Sequence, residues 1–291
     1  MDIVEALGGL SGAVYLADNL EILSKIPDGS IDLVYIDPPF NTGRKQQREA
    51  LVTRRDDAEG DRVGFGGKRY RTEKVSSGSY KDSFNDYAAF LKPRLQEAYR
   101  VLKPTGSLYL HLDYREAHYA KIWLDEIFSR ACFINEIIWA YDYGGRPKNK
   151  WPSKHDTILF YAKDTERYFF DSEEVERIPY MAPGLVSKEK AARGKLPTDV
   201  WWHTIVSPTG KEKLGYPTQK PIGVLKRIVA ASCPKEGVVL DFFAGSGSTG
   251  AAALSLRRRF ILVDILPEAF KLMQRRFGDR QDLAYYPKQD A

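Results

Sequence analysis

Short apolar runs alternate with stretches of helical periodicity along most of this 291-residue chain. Runs at 13–17, 32–36, 107–112, 133–140, 156–162, 238–243 and 260–264 predict strands, since each is brief, apolar at successive positions and set between turn residues. Helices are predicted at 19–26, 85–102, 115–129, 220–232, 248–257 and 267–277. The helix at 85–102 carries Tyr87, Phe90, Leu91, Leu95, Ala98, Tyr99 and Leu102 on one stripe, and Lys103-Pro104-Thr105-Gly106 closes it. Such alternation predicts an α/β fold: a mostly parallel, seven-stranded sheet with helices on both faces. Residues 163–217 break the pattern with scattered Pro and Gly and the pair Trp201-Trp202, so 142–215 reads as an insertion.

Composition narrows the class without naming a reaction. Hydrophobic residues make up 43% and charged residues 29%, as in a globular protein with a sizeable core. No apolar run is long enough to span a membrane and the N-terminus lacks a basic start, so a cytoplasmic location is expected. Cys132 and Cys233 are far apart without metal-ligand spacing, and His155 and His203 have no partner spacing; neither a metal nor a disulfide is expected.

The net charge of +5 is unevenly spread. Residues 41–81 hold eleven Lys or Arg against six acids, and 141–154 hold four against Asp142 alone. Both stretches are glycine-containing and lack a periodic apolar face. They read as mobile basic loops suited to phosphates, with Arg44, Lys45, Arg69, Arg71, Arg146, Lys148, Lys150 and Lys154 as candidate contacts.

Two motifs carry chemistry. Asp37-Pro38-Pro39-Phe40 follows the apolar run Ile31 to Ile36, and its two prolines force the chain out of the sheet. A carboxylate, a free carbonyl and an aromatic face on that lip form a receptor for a planar amine; a plain proline turn is the other reading. Val238 to Gly250 runs from a strand through Gly245, Gly247 and Gly250 into a helix, and the next strand ends in Asp264, where a carboxylate can take ribose hydroxyls. This predicts a nucleotide-type cofactor, and the absence of a loop lysine excludes a Walker loop. Only a short tail follows Asp264, so the remaining strands must come from the N-terminal side and the usual order is circularly permuted. Asp37 and the glycine loop then share one crevice where the sheet order reverses.

In this order of motifs, over nearly its whole length, the chain resembles the β-class amino-directed DNA methyltransferases. Leu16-Ala17-Asp18-Asn19-Leu20-Glu21, Asp199-Val200-Trp201-Trp202, Tyr216-Pro217-Thr218-Gln219-Lys220-Pro221 and Gly144-Gly145-Arg146 with Lys154 to Leu159 are further similar stretches. The resemblance implies a permuted Rossmann-like methyltransferase fold. Residues 1–141 would form its catalytic half, with the basic loop 41–81; 142–215 would form a target-recognition insertion and 216–291 the cofactor half. It implies S-adenosylmethionine as methyl donor, held by Asp18, Asn19, Asp37, Thr218, Lys220, Asp241, Phe242, Ala244, Gly245, Ser246, Gly247, Ser248, Thr249 and Asp264. Asp37 and the Pro38 carbonyl would take the amine of a flipped base in double-stranded DNA, Pro39 would stiffen the lip and Phe40 would stack on the ring. The tetrad's Asp favours adenine N6 over cytosine N4. A homodimer and a separately acting restriction endonuclease are compatible with the family and not readable in these residues. An NAD-dependent oxidoreductase, which would use the same glycine loop, and a non-catalytic DNA-binding protein are the more distant alternatives. His111 is a candidate for support behind the site or for the core, and Trp201 and Trp202 for DNA stacking or packing.

Overall fold

The computed structural model describes residues 3–55, 58, 62–63, 69–207, 210, 212–216 and 218–287; the side chains at 6, 44–55, 62–63, 70 and 72–81 lie outside that description. In chain order the elements are α1 (Ile3–Leu7), β1 (Gly12–Leu16), α2 (Asn19–Leu23), β2 (Ile31–Ile36), β3 (Arg44–Arg55), β4 (Arg62–Val63), β5 (Arg69–Asp82), α3 (Tyr87–Val101), β6 (Leu102–Leu112) and α4 (Ala117–Phe128). There follow β7 (Phe133–Ala140), β8 (His155–Ala162), α5 (Lys188–Arg193), β9 (Val200–Trp202), α6 (Ile222–Ser232), β10 (Val238–Asp241), α7 (Ser248–Ser255), β11 (Arg259–Asp264), α8 (Pro267–Phe277) and β12 (Leu283–Tyr286).

The main sheet has nine strands in the order β12-β1-β11-β10-β2-β6-β8-β7-β9. β8 alone among them runs against its neighbours, pairing antiparallel with both β6 and β7. The prediction of seven strands is corrected to nine. β9 and β12 have three and four residues, too few for periodicity to register, and they form because β7 and β1 offer them exposed edges. β2 shows why the interior strands read as continuous apolar runs. Leu33 and Tyr35 enter the layer under α6, α7 and α8, while Val34 and Ile36 enter the opposite layer under α2, α3 and α4.

The basic stretch 41–81, expected to be a mobile loop, is instead largely a β-ribbon. β3 and β5 pair antiparallel from Arg44↔Asp82 to Arg55↔Tyr70, forming with β4 a separate three-stranded sheet. Backbone pairing organises the ribbon, and that signal is invisible to a search for apolar periodicity. Asp82, 1% exposed, pins its base by accepting from the Asn41 N–H at 2.9 Å and the Thr42 hydroxyl at 2.6 Å. Within 142–215, β8 and β9 belong to the main sheet, so only the chain around them stands outside it.

The permuted order follows from the pairings. β10 leads into the glycine loop, and it lies between β11, which follows it, and β2, which comes from the N-terminal part of the chain. β1, β11, β10, β2, β6 and β7 all point the same way, so their carboxyl ends line one edge of the sheet.

Candidate active site

That edge holds a cavity of about 330 Å³. Of the cofactor candidates, Asp18, Asn19, Asp37, Thr218, Lys220, Asp241, Phe242, Ala244, Gly245, Ser246, Ser248, Thr249 and Asp264 line it, as do Pro38, Pro39 and Phe40. Gly247 does not. Its φ is +72°, and a Cβ there would meet Met273 of α8 at 2.8 Å, so it serves the turn and the helix packed behind it. Pro217 lies outside the described residues, as do the side chains of Arg44 and Lys45.

The proline lip is tightly held. Tyr87 donates its hydroxyl to the Pro39 carbonyl at 2.6 Å, and among the described residues no donor reaches the Pro38 carbonyl beside it. Lys220 donates to Asp37 Oδ2 at 2.5 Å and its Nζ sits 5.1 Å from the centre of the Phe40 ring. Asp37 Oδ1 is buried and, among the described residues, meets no hydrogen-bond partner. A buried carboxylate oxygen without a donor is costly unless a ligand supplies one.

Behind the lip lies a hydrogen-bonded chain that includes His111, which is fully buried. Its Nδ1 is 2.8 Å from the Tyr35 hydroxyl and its Nε2 is 3.1 Å from Asp156 Oδ2; Tyr141 donates to Asp156 Oδ1 at 3.0 Å. Burial alone would raise the Asp156 pKa, but the hydrogen bonds from His111 and Tyr141 and the charge of Lys220 outweigh it and hold the carboxyl below its usual range. An ionised carboxylate only accepts, which assigns the proton to Nε2 and makes Nδ1 the acceptor of the Tyr35 hydroxyl. Burial pushes the Tyr35 phenol well up, helped by the charges of Asp37, Asp241 and Asp156, so it remains a donor. The His111 ring stacks on Phe40 at 6.1 Å and meets Trp139 edge-on at 5.5 Å. It therefore supports the aromatic floor of the lip. Trp201 is buried, with its indole N–H donated to the Thr198 carbonyl at 2.7 Å, whereas Trp202 is 75% exposed.

The glycine loop is braced from both ends. The Gly245 and Leu266 N–H groups donate to the two oxygens of Asp264, at 2.8 and 2.9 Å. Arg276 donates to the Ser246 carbonyl at 2.6 Å, and its own pKa falls to about 10 through burial. Asp241 accepts from the Thr249 hydroxyl at 2.6 Å and the Phe243 N–H at 3.0 Å. Burial, with smaller contributions from Asp37 and Asp264, still pushes its pKa up to about 7. Asp18 caps α2 by accepting from the Leu20 N–H, and Arg94 reaches both Asp18 and Asn19. Arg94, Phe84, Phe90 and Asp82 line the cavity and were missed in the sequence. Phe90 lay on the apolar stripe of its helix, which hid it as core, and the others carried no motif.

Five carboxylates and two cations line this cavity. An acidic lining suits a cofactor with a sulfonium and an ammonium, and opposes the pyrophosphate of a dinucleotide.

The chain matches the family model described as DNA methylase, of the N6/N4 methyltransferase type, over residues 31–275. The chain belongs to this DNA methylase family. It is 30% identical over 277 residues to the DNA adenine methyltransferase YhdJ of Escherichia coli, covering 92% of this chain and 83% of that protein. To the type II methyltransferase M.HpaI of Haemophilus parainfluenzae it is 28% identical, covering 88% of this chain and 71% of the other. The solved PvuII cytosine-N4-specific DNA methyltransferase shares the fold with a TM-score of 0.63 and 18% identity, over 93% of this chain and 88% of that one. The structure of M1.HpyAVI with S-adenosylmethionine shares it with a TM-score of 0.58 and 20% identity, over 92% and 99%. As a member of the DNA methylase family the chain is an S-adenosylmethionine-dependent methyltransferase acting on an amino group of DNA, and the oxidoreductase reading is set aside.

Among the candidate phosphate contacts, Arg69, Arg71, Arg146, Lys148 and Lys150 are exposed. Lys154 instead turns back and donates to the carbonyls of Tyr143 and Gly144, at 2.8 and 3.0 Å. Among the described residues no helix is long and apolar enough to cross a membrane.

Proposed function

We propose that this DNA methylase transfers its methyl group to N6 of an adenine flipped out of double-stranded DNA. The observation that carries this reading is the buried, unpartnered Asp37 Oδ1 beside the open Pro38 carbonyl. An exocyclic amine is a poor nucleophile because its lone pair is delocalised into the ring. One of its N–H groups donated to Asp37 Oδ1 and the other to the Pro38 carbonyl would draw the nitrogen towards tetrahedral geometry. They would also stabilise the positive charge that develops there. Lys220 holds Oδ2 and so turns Oδ1 to the substrate, while Phe40, backed by His111, stacks on the base. Bound S-adenosylmethionine supplies an electrophilic methyl on a sulfonium. Asp18, Asn19, the 244–246 turn and Asp264 would hold it, with Asp241 in the floor of the same cavity.

Adenine is preferred to cytosine N4 because Asp heads the tetrad and because the relative at 30% identity carries an adenine methyltransferase name. The basic ribbon β3–β5 and the loop 142–154 both leave the carboxyl edge of the sheet, one after β2 and one after β7, which suits a grip on phosphates either side of the lip. We assign target recognition to the chain within 142–215 that stands outside the sheet.

DNA from cells expressing the chain, hydrolysed and resolved by mass spectrometry, should contain N6-methyladenine, and Asp37→Ala should remove it. Appearance of N4-methylcytosine instead would overturn the choice of base. Sequencing the same DNA with detection of modified bases would give the recognised sequence.

A further inference from the structure

Trp151 is 93% exposed, although an indole loses more than most side chains by standing in water. It lies in the loop joining β7 to β8, among Arg146, Lys148 and Lys150, with Pro147 and Pro152 nearby. The stem of that loop is firm. The Tyr141 N–H donates to the Lys154 carbonyl at 2.9 Å, the Lys154 ammonium binds the carbonyls of Tyr143 and Gly144, and the Tyr141 hydroxyl is fixed on Asp156. Through Asp156 and His111 the stem connects to Phe40, the floor of the lip. The topology sets the direction: β7 runs parallel to β2, so this loop leaves the same sheet edge as Asp37.

An exposed aromatic ring flanked in sequence by cations, on a braced loop at the catalytic edge, has the features of a stacking group brought to a polyanion. We infer that Trp151 enters the duplex and fills the gap left in the base stack when the target base leaves it. The inference rests on the base-flipping reading above and adds the residue that compensates for it. Flipping costs the stacking and pairing of one base, and the indole replaces the stacking part. Arg146, Lys148 and Lys150 hold the loop on the phosphates while the ring inserts.

The test compares two short duplexes carrying the sequence this chain methylates: one with the target base paired, the other with it facing an abasic site. The second substrate has already lost its pairing, so flipping needs less help. Trp151→Ala should lower kcat/KM on the paired duplex by about tenfold to a hundredfold, the range corresponding to loss of one aromatic–base stack. Most of that loss should vanish on the abasic duplex, and Trp151→Phe, which keeps a ring, should restore the paired rate in large part. A 2-aminopurine at the target position should emit less in complex with Trp151→Ala than with wild type, reporting a smaller flipped fraction. Wild-type rates for Trp151→Ala on the paired duplex would overturn the inference. So would an equal loss on both duplexes, which is the signature of an affinity role or of a contact to another protein segment. A wild-type enzyme that methylates the paired duplex without raising 2-aminopurine emission would overturn the flipping reading itself, and this inference with it.

Discussion

Replacing Asp241 by Asn should make the protein more stable at neutral and alkaline pH, although it removes two carboxylate hydrogen bonds. Asp241 is fully buried in the floor of the cavity, and its pKa is pushed from 3.8 to about 7 by burial, with Asp37 and Asp264 adding to the shift. Below about pH 4 the carboxyl is neutral in folded and unfolded chains alike and its burial carries no charge penalty. Between about 4 and 7 the unfolded chain releases its proton while the folded site keeps its own, so stability falls as pH rises. Above about 7 both states are ionised and the decline from this group ends. A shift of about three units corresponds to an upper limit of about 4 kcal/mol. Asn fits the same geometry. Its oxygen can accept from the Phe243 N–H, and its amide can donate to the Thr249 hydroxyl, which rotates to accept. Urea unfolding of both proteins at a series of pH values reads the difference directly. The advantage of Asp241→Asn should be near zero around pH 4 and grow to about 2–4 kcal/mol around pH 8. A variant no more stable than wild type near pH 8, or a difference that does not change with pH, would refute this account of the site.

Lys220→Met leaves Asp37 with neither oxygen partnered in a site where the two side chains are only 10% and 16% exposed. It should cost about 3 kcal/mol in urea unfolding as well as most of the methyl transfer. A variant as stable as wild type would show that the pair contributes nothing to folding. Replacing Arg146, Lys148 and Lys150 together by Ala should weaken DNA binding and flatten the slope of log affinity on log salt by about 0.9 for each phosphate no longer neutralised. Fluorescence anisotropy over a salt series would show it, and an unchanged slope would place the phosphate grip elsewhere, on the ribbon.

Nearly all the interior of the fold was legible in the chain. β2, β10 and β11 were legible because burial on both faces favours apolar residues at nearly every position, with the buried Asp32 of β2 held by Lys103 and the Val238 N–H, and α3 because one stripe must meet the sheet. The tetrad and glycine loop were legible because prolines and glycines restrict or free the backbone at fixed positions. The edge strands β9 and β12 and the β3–β5 ribbon were not, since short or solvated strands are held by backbone pairing, to which side-chain pattern is nearly blind.

The sequence by itself determined that a carboxylate stands at a strand end, that a glycine turn comes late in the chain, and that positive charge gathers in two stretches. Only the tertiary structure decided what each faces. Lys220 reaches Asp37 across 183 residues, His111 stands behind Phe40 on a neighbouring strand, and Trp151 projects from the same sheet edge as the lip. Local pattern records the pressure on one residue from its own backbone and burial. The partner that leaves one oxygen of Asp37 held and the other open comes from distant chain, and strand order alone brings the two together.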